Sequence, residues 1–355
     1  MSLPREVLAE LREMTTGGPR AKVAIAAALA VAVAIVVALV LRLQDAYWAG
    51  ISAFVCMQAN QPESLRKGLH RIAGTVIGAA AALICFPPIA FDHVATMLLL
   101  FCATSLAIAG SMVSRFSYAW LLGGITAVMV VLGALDDPRQ AVNIAFFRCT
   151  EIVVGTLVAL AIAKALLPSG PMTPSGARGW GSLFEGRNVV LDHALKAGLA
   201  VALVPPVWRI FELPNLGQMA ISIGAVMAVP ALTASHAENR RAVIDRSVQR
   251  LAGCMTGGSI GLLALTFAWS ASFPLWLLLL MLGAAIGVQL ETGRHNVKTF
   301  GIQAEVALIL TLVQGWGPAA SLLPAIERVF GMVGALLLLF AVSLILGPPR
   351  RAGVE

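Results

Sequence analysis

The chain has 355 residues, 59% of them hydrophobic and only 12% charged, with a mean hydropathy of +0.87. Soluble domains carry about a quarter charged residues, so this balance excludes an ordinary globular enzyme. The net charge of +7 gathers in particular connections between apolar runs, which is the orientation signal of membrane proteins and argues against nucleic acid as a partner.

Residues 1–19 form a polar head with an amphipathic helix expected over 4–14, stopped by Gly17, Gly18 and Pro19. It is expected on the cytoplasmic membrane surface. Val23 to Leu41 holds nineteen residues without a charge, enough to cross a hydrocarbon core of about 30 Å as a helix. This run is too long for a removable signal peptide and lacks a cleavage site. The apolar pattern predicts twelve spans, near 21–43, 46–59, 71–87, 93–112, 117–134, 140–167, 190–211, 214–231, 249–269, 273–291, 298–314 and 324–346. Pro87-Pro88, Asp136-Asp137-Pro138 and Pro168 stop the third, fifth and sixth. Pro205-Pro206 breaks the seventh, and Pro324 opens the twelfth.

The chain reads as built twice. MAISIGAVM at 219–227 is a degraded copy of WAGISAFVCM at 48–57, and RLAGCMTG at 250–257 copies RIAGTVIG at 71–78. Arg148-Cys-Thr-Glu151 is answered by Arg328-Val-Phe-Gly331. The expected fold class is all-α: a polytopic membrane protein of about twelve transmembrane helices in two parallel six-helix repeats. The expected organisation is a cytoplasmic segment 1–19, a membrane repeat 20–168, a Gly/Pro/Ser-rich linker 169–188, a second repeat 189–348 and a tail 349–355. With both termini cytoplasmic, twenty of the 25 Lys and Arg fall inside. Only Arg42, Arg139, Arg148, Arg209 and Arg328 fall at the outer side. The substrate path is expected between the halves, near the second, third, eighth and ninth spans.

Charges at membrane depth cost about 3 kcal/mol each on insertion scales, so those present need a reason. Arg71 and Arg250 head the third and ninth spans, either as cations that draw an anion into a path or as snorkelling anchors. Gly74/Gly78 and Gly253/Gly257 are small pairs four apart, suited to close helix packing. Arg148 and Arg328 sit near the outer ends of the sixth and twelfth spans, and Glu151 faces Arg148 across one turn. They form either an anion site or a structural ion pair. Glu305, with Gln303 beside it, is the most isolated acid. Glu305 and Glu151 are the candidates for proton coupling, with an interhelical contact as the alternative. Tyr47 and Trp48 could stack on an aromatic substrate or belong to the interfacial belt. Gln58 and Gln61 could bind a carboxylate or cap a helix.

Five cysteines (Cys56, Cys85, Cys102, Cys149, Cys254) stand singly, and the five histidines lack ligand spacing, so neither a disulfide framework nor a metal is expected. No cofactor is expected. Nucleophile elbows, Walker loops and HExxH are absent from the sequence, and the chain is not read as an enzyme.

The order YWAxISAF…Q from Tyr47 to Gln58, then Arg-x-x-Gly-x-x-x-Gly at 71–78 and Arg-x-x-Glu-x-x-x-Gly at 148–155, resembles the fusaric-acid-resistance-like (FUSC) membrane proteins. These include the bacterial aromatic acid exporters and are distantly similar to plant aluminium-activated malate transporters. The resemblance is clear over 20–168 and weaker over 188–348. It implies a multi-pass inner-membrane exporter of organic, often aromatic, carboxylic acids such as fusaric acid or hydroxybenzoates. Many such exporters carry sizeable cytoplasmic regions after each membrane half, whereas this chain has a short linker and tail. The partners it implies are a small organic anion, the lipid bilayer and a periplasmic adaptor protein; a homodimer is also considered. Two other functions share the same sequence features: a passive organic-anion channel of the malate-transporter type, and a membrane accessory subunit that transports nothing.

Overall fold

The computed structural model describes residues 3–173, 176, 179–184, 189–211, 216–228, 236–319 and 321–346. The expected tail 349–355, parts of the linker 169–188 and both ends of the eighth span lie outside these residues. In chain order the helices are α1 (Leu3–Arg12), α2 (Gly18–Val40), α3 (Ala46–Cys56), α4 (Gln61–Cys85), α5 (His93–Val113), α6 (Ser117–Gly133) and α7 (Gln140–Leu166). There follow α8 (Val189–Ala202), α9 (Val204–Phe211), α10 (Leu216–Met227), α11 (His236–Thr266), α12 (Phe273–Glu291), α13 (Lys298–Leu312) and α14 (Leu323–Ile345). A two-residue antiparallel pair, β1 (Val313–Gln314) and β2 (Gly317–Pro318), turns between α13 and α14.

Each expected span overlaps one or two helices among the described residues, but the spans are not equivalent. Among the described residues seven helical stretches are long and apolar enough to cross a membrane: 18–40, 61–89, 93–113, 140–166, 189–211, 273–291 and 325–345. Three more, α3, α6 and α10, are apolar but shorter. At 1.5 Å per residue, α3 reaches only about 16 Å. In α13, Lys298, Gln303 and Glu305 interrupt a helix of 15 residues. The first half of α11 is polar.

Two helices begin well before the spans expected of them. The basic stretch after Gln58 joins the third span from Gln61 onward, because its sequence is a helix start. Asn60 Oδ1 accepts the Glu63 N–H at 3.0 Å, Pro62 occupies the first turn, and Glu63 adds an acid there. In the same way α11 begins at His236, thirteen residues before the expected ninth span. The break at Pro205-Pro206 is present, as the step from α8 to α9.

The chain forms two compact units, and each draws on both halves of the sequence. One comprises residues 1–75, 146–174 and 248–329; the other comprises 76–145, 175–247 and 330–355. Helices α4, α7, α11 and α14 each contribute a segment to both. In the first unit α2 packs on α12 and α3, α12 on α13, and α3 on α13. In the second, α8 packs on α5 and α10, α5 on α6, and α10 on α6. Each ring thus combines two helices from each half of the sequence.

The first unit's core shows why these helices approach closely. Ala26, Ala30, Ala34 and Ala38 recur every fourth residue on α2 and are fully buried. Trp276, Leu280, Ala284 and Val288 repeat the same spacing on α12 and are buried as well. The Trp276 indole donates to the Leu312 carbonyl at 2.8 Å, satisfying the end of α13. Gly155 on α7 meets α3 so tightly that a Cβ would collide with the Ala49 carbonyl. Gly253 and Gly257 place α11 against the backbone carbonyls of Phe300 and Ala304 on α13. In the second unit Gly78 approaches Gly123 on α6 in the same manner.

At the polar end of the first unit, α1 is held by Glu10, which is fully buried. Its carboxylate accepts from Arg20 at 2.6 Å and from the backbone amides of Arg294 at 2.9 Å and His295 at 3.0 Å. Burial opposes its ionisation, but the His295 amide, the Arg20 guanidinium and the Arg294 amide outweigh it and hold the carboxyl below its usual range. Leu3, Val7 and Met14 pack on Leu290, Val297 and Phe300 beneath.

Candidate functional site

The short helix α3 organises the polar groups of the first unit. Its first residues carry Tyr47 and Trp48, with ring centroids 5.5 Å apart. Arg148, on α7, lies over Trp48 with its guanidinium carbon 4.3 Å from the centre of that ring. One arm of the guanidinium meets Glu151 at 3.2 Å and another meets Asp45 at 3.5 Å. The second oxygen of Glu151 accepts the Asp45 backbone N–H at 2.8 Å, satisfying one of the open donors where α3 begins. Arg148 and Glu151 are both buried. Arg328, in the first turns of α14, is buried too; it meets the Cys254 thiol and lies near Tyr47. Two guanidinium groups, two carboxyls and two aromatic rings therefore share one end of the unit.

Three of the sequence candidates, Trp48, Arg148 and Glu151, thus meet directly, and Arg328 joins them through Tyr47. Asp45 was not singled out in the sequence, where it looks like an ordinary residue ahead of a helix. Only the return of α7, about a hundred residues later, makes it a partner of Arg148. The indole N–H of Trp48 and the Nε of Arg148 are shut off from solvent, with no acceptor among the described residues. These two donors are suited to an anionic group beside a flat ring.

Arg71 occupies the other end of α3. It is buried, and its Nε donates to Ser52 Oγ at 3.1 Å, while Ser52 donates to the Trp48 carbonyl at 2.6 Å. Lys67, one turn earlier on α4, belongs to the same region as Cys56 and Glu291. Polar groups thus run along the side of α3 from Lys67 through Arg71 and Ser52 to Trp48 and Arg148. Arg250 is half-buried on α11, beside Gln249, which bonds Asn296 and Phe300.

The two glutamines are engaged by backbone. Gln58 donates to the Met57 carbonyl at 2.6 Å and closes the end of α3. Gln61 donates to Leu167 at 2.7 Å and Lys164 at 3.1 Å, capping α7. Glu305 is fully enclosed on α13, against Gly283 and Gly287 of α12, and neither carboxyl oxygen has a donor among the described residues. The side chains of Glu10, Glu13 and His295 bring ligand atoms within 4.8 Å of one another. The Glu10 carboxylate is already occupied by Arg20 and two amides, so this group is a latch for α1 rather than a cation site.

The helices and their buried charges define a polytopic α-helical membrane protein. Residues 21–181 match the Fusaric acid resistance protein family, so the FUSC resemblance is borne out over that stretch, which contains Asp45, Trp48, Arg71, Arg148 and Glu151. The chain is 34% identical over 98 residues to the p-hydroxybenzoic acid efflux pump subunit AaeB of Escherichia coli O9:H4 (strain HS), covering 26% of this chain and 15% of that protein. It is 29% identical over 138 residues to the AaeB of Escherichia fergusonii, covering 38% and 21% respectively. For the AaeB of Edwardsiella ictaluri the figures are 30% over 106 residues, 29% and 16%. The matched stretch is thus about a fifth or less of those relatives' own length. No solved structure matches the chain.

Proposed function

We propose that the protein exports aromatic carboxylic acids across the bacterial inner membrane, as a transporter rather than an enzyme, with both termini cytoplasmic. The observation that carries this reading is Arg148 stacked on Trp48 while paired to buried Glu151. Such a group can hold a carboxylate through its guanidinium and a ring through its indole. Arg328 adds a second cation. Lys67 and Arg71, at the basic end of α3, are the entry, and Arg250 serves the corresponding position of the second repeat. Gln58 contributes its remaining amide oxygen. The relatives' printed name, with its hydroxybenzoate substrate and its word subunit, supports the substrate class and an adaptor protein as partner; a homodimer is the proposed assembly. Two parallel six-span repeats are supported by the matching rings inside the two units.

Glu305 and Glu151 are the proposed proton carriers. Glu151 already holds the Arg148 guanidinium and the Asp45 N–H, whereas Glu305, enclosed with no donor among the described residues, is stable when protonated and costly when charged. That favours coupled export over a passive channel.

The test is uptake of p-hydroxybenzoate into proteoliposomes, with and without an imposed pH gradient. Flux accelerated by the gradient supports the reading. Flux that follows the anion gradient alone selects the channel, and no flux from correctly inserted protein selects the accessory subunit.

A further inference from the structure

The second compact unit has a cavity of about 140 Å³ where the start of α5, the end of α6 and α9 converge. A cavity of roughly 150 Å³ holds a single benzene ring, so this one is of ring size. Its walls include Met97 and Pro206, and its polar groups are His93, Asp136, Trp208, Arg209 and Thr96, whose hydroxyl donates to the Ile89 carbonyl. Arg209 donates one N–H to His93 Nε2 at 3.2 Å, which orients the guanidinium and leaves its other donors for a ligand. The indole N–H of Trp208 is shut off from solvent and has no acceptor among the described residues. A buried donor without an acceptor is costly, and Arg209 supplies a full positive charge beside it.

We propose that this pocket is a second binding site, for a single-ring aromatic carboxylate. The carboxylate sits between Arg209 and the Trp208 N–H, and the ring lies against Met97 and Pro206. Asp136, exposed at the rim, opposes the anion and keeps binding weak, as suits a site that must release what it holds. None of these residues belongs to the Arg148 cluster, so the site goes beyond the transport reading.

Site-resolved acylation of histidine by diethyl pyrocarbonate, read by mass spectrometry on the full-length chain in detergent, tests this with benzoate as the probe. Benzoate is expected to slow labelling of His93 and leave His295 unchanged, while the uncharged benzyl alcohol protects neither. Arg209→Gln should raise the benzoate concentration needed by about ten-fold, the loss of one charge-assisted hydrogen bond. Trp208→Phe, which keeps an aromatic ring and removes the donor, should raise it less. Asp136→Asn should lower it about two-fold. Equal His93 labelling with and without saturating benzoate overturns the proposal, and so does protection that survives Arg209→Gln. Equal protection by benzyl alcohol overturns the carboxylate assignment. No arm measures flux, so this result and that of the transport test fail or stand separately.

Discussion

The Arg148 guanidinium covers the face of Trp48 at 4.3 Å while two of its arms hold Asp45, just ahead of α3, and Glu151 of α7. A planar cation between an aromatic face and two carboxyls cannot be replaced by charge alone, because an ammonium neither stacks nor forks. Arg148→Lys should therefore lower hydroxybenzoate flux about ten-fold, and Arg148→Gln more. Initial rates in proteoliposomes of matched protein content check this.

The same pair is structural. Removing one member of a buried ion pair leaves the other uncompensated, at about 3 kcal/mol or more. Arg148→Gln and Glu151→Gln should each lower the midpoint of thermal unfolding. The double variant should lose less than the sum of the two, because no lone charge remains. Strict additivity would mean the two side chains are not coupled.

Glu305→Gln is expected to leave the protein folded, since an amide fills the same space, and to remove the acceleration of flux by a pH gradient. Gradient-dependent rates that match the unaltered protein would exclude Glu305 as the proton carrier.

Gly155 lies where a side chain would strike the Ala49 carbonyl. Gly155→Val should destabilise the first unit by about 1–3 kcal/mol or more through overpacking, read as reduced yield and a lower unfolding midpoint. The neighbouring Leu157, which is exposed, should tolerate Leu157→Val.

Glu10 ties α1 to the α12–α13 connection, and its carboxyl is held below the usual range. A depressed pKa contributes stability that is fully present above the unfolded value, about 4.3. That stability is lost as the pH falls through the folded value. Limited proteolysis after Arg12 should therefore speed up on strong acidification. Glu10→Gln should show the faster cleavage already at neutral pH, with the acid-dependent change abolished.

The membrane class, the helical fold and the FUSC resemblance over residues 21–181 are legible in the residues themselves. Apolar run length, intramembrane charge and short motifs are local properties, and lipid leaves little freedom in how a backbone may satisfy them. The extension of α4 back to Gln61 was locally encoded too, in Asn60, Pro62 and Glu63, but the charges of that stretch place it outside the apolar run that marks the span. The company each residue keeps was not legible. Asp45 joins Arg148, Gln61 caps α7, and α2 packs on α12 of the other half as well as on its neighbour α3, because helix partners are chosen by matching faces of alanine and glycine that many helices of this chain possess. Only the assembled tertiary structure decides which of those faces meet.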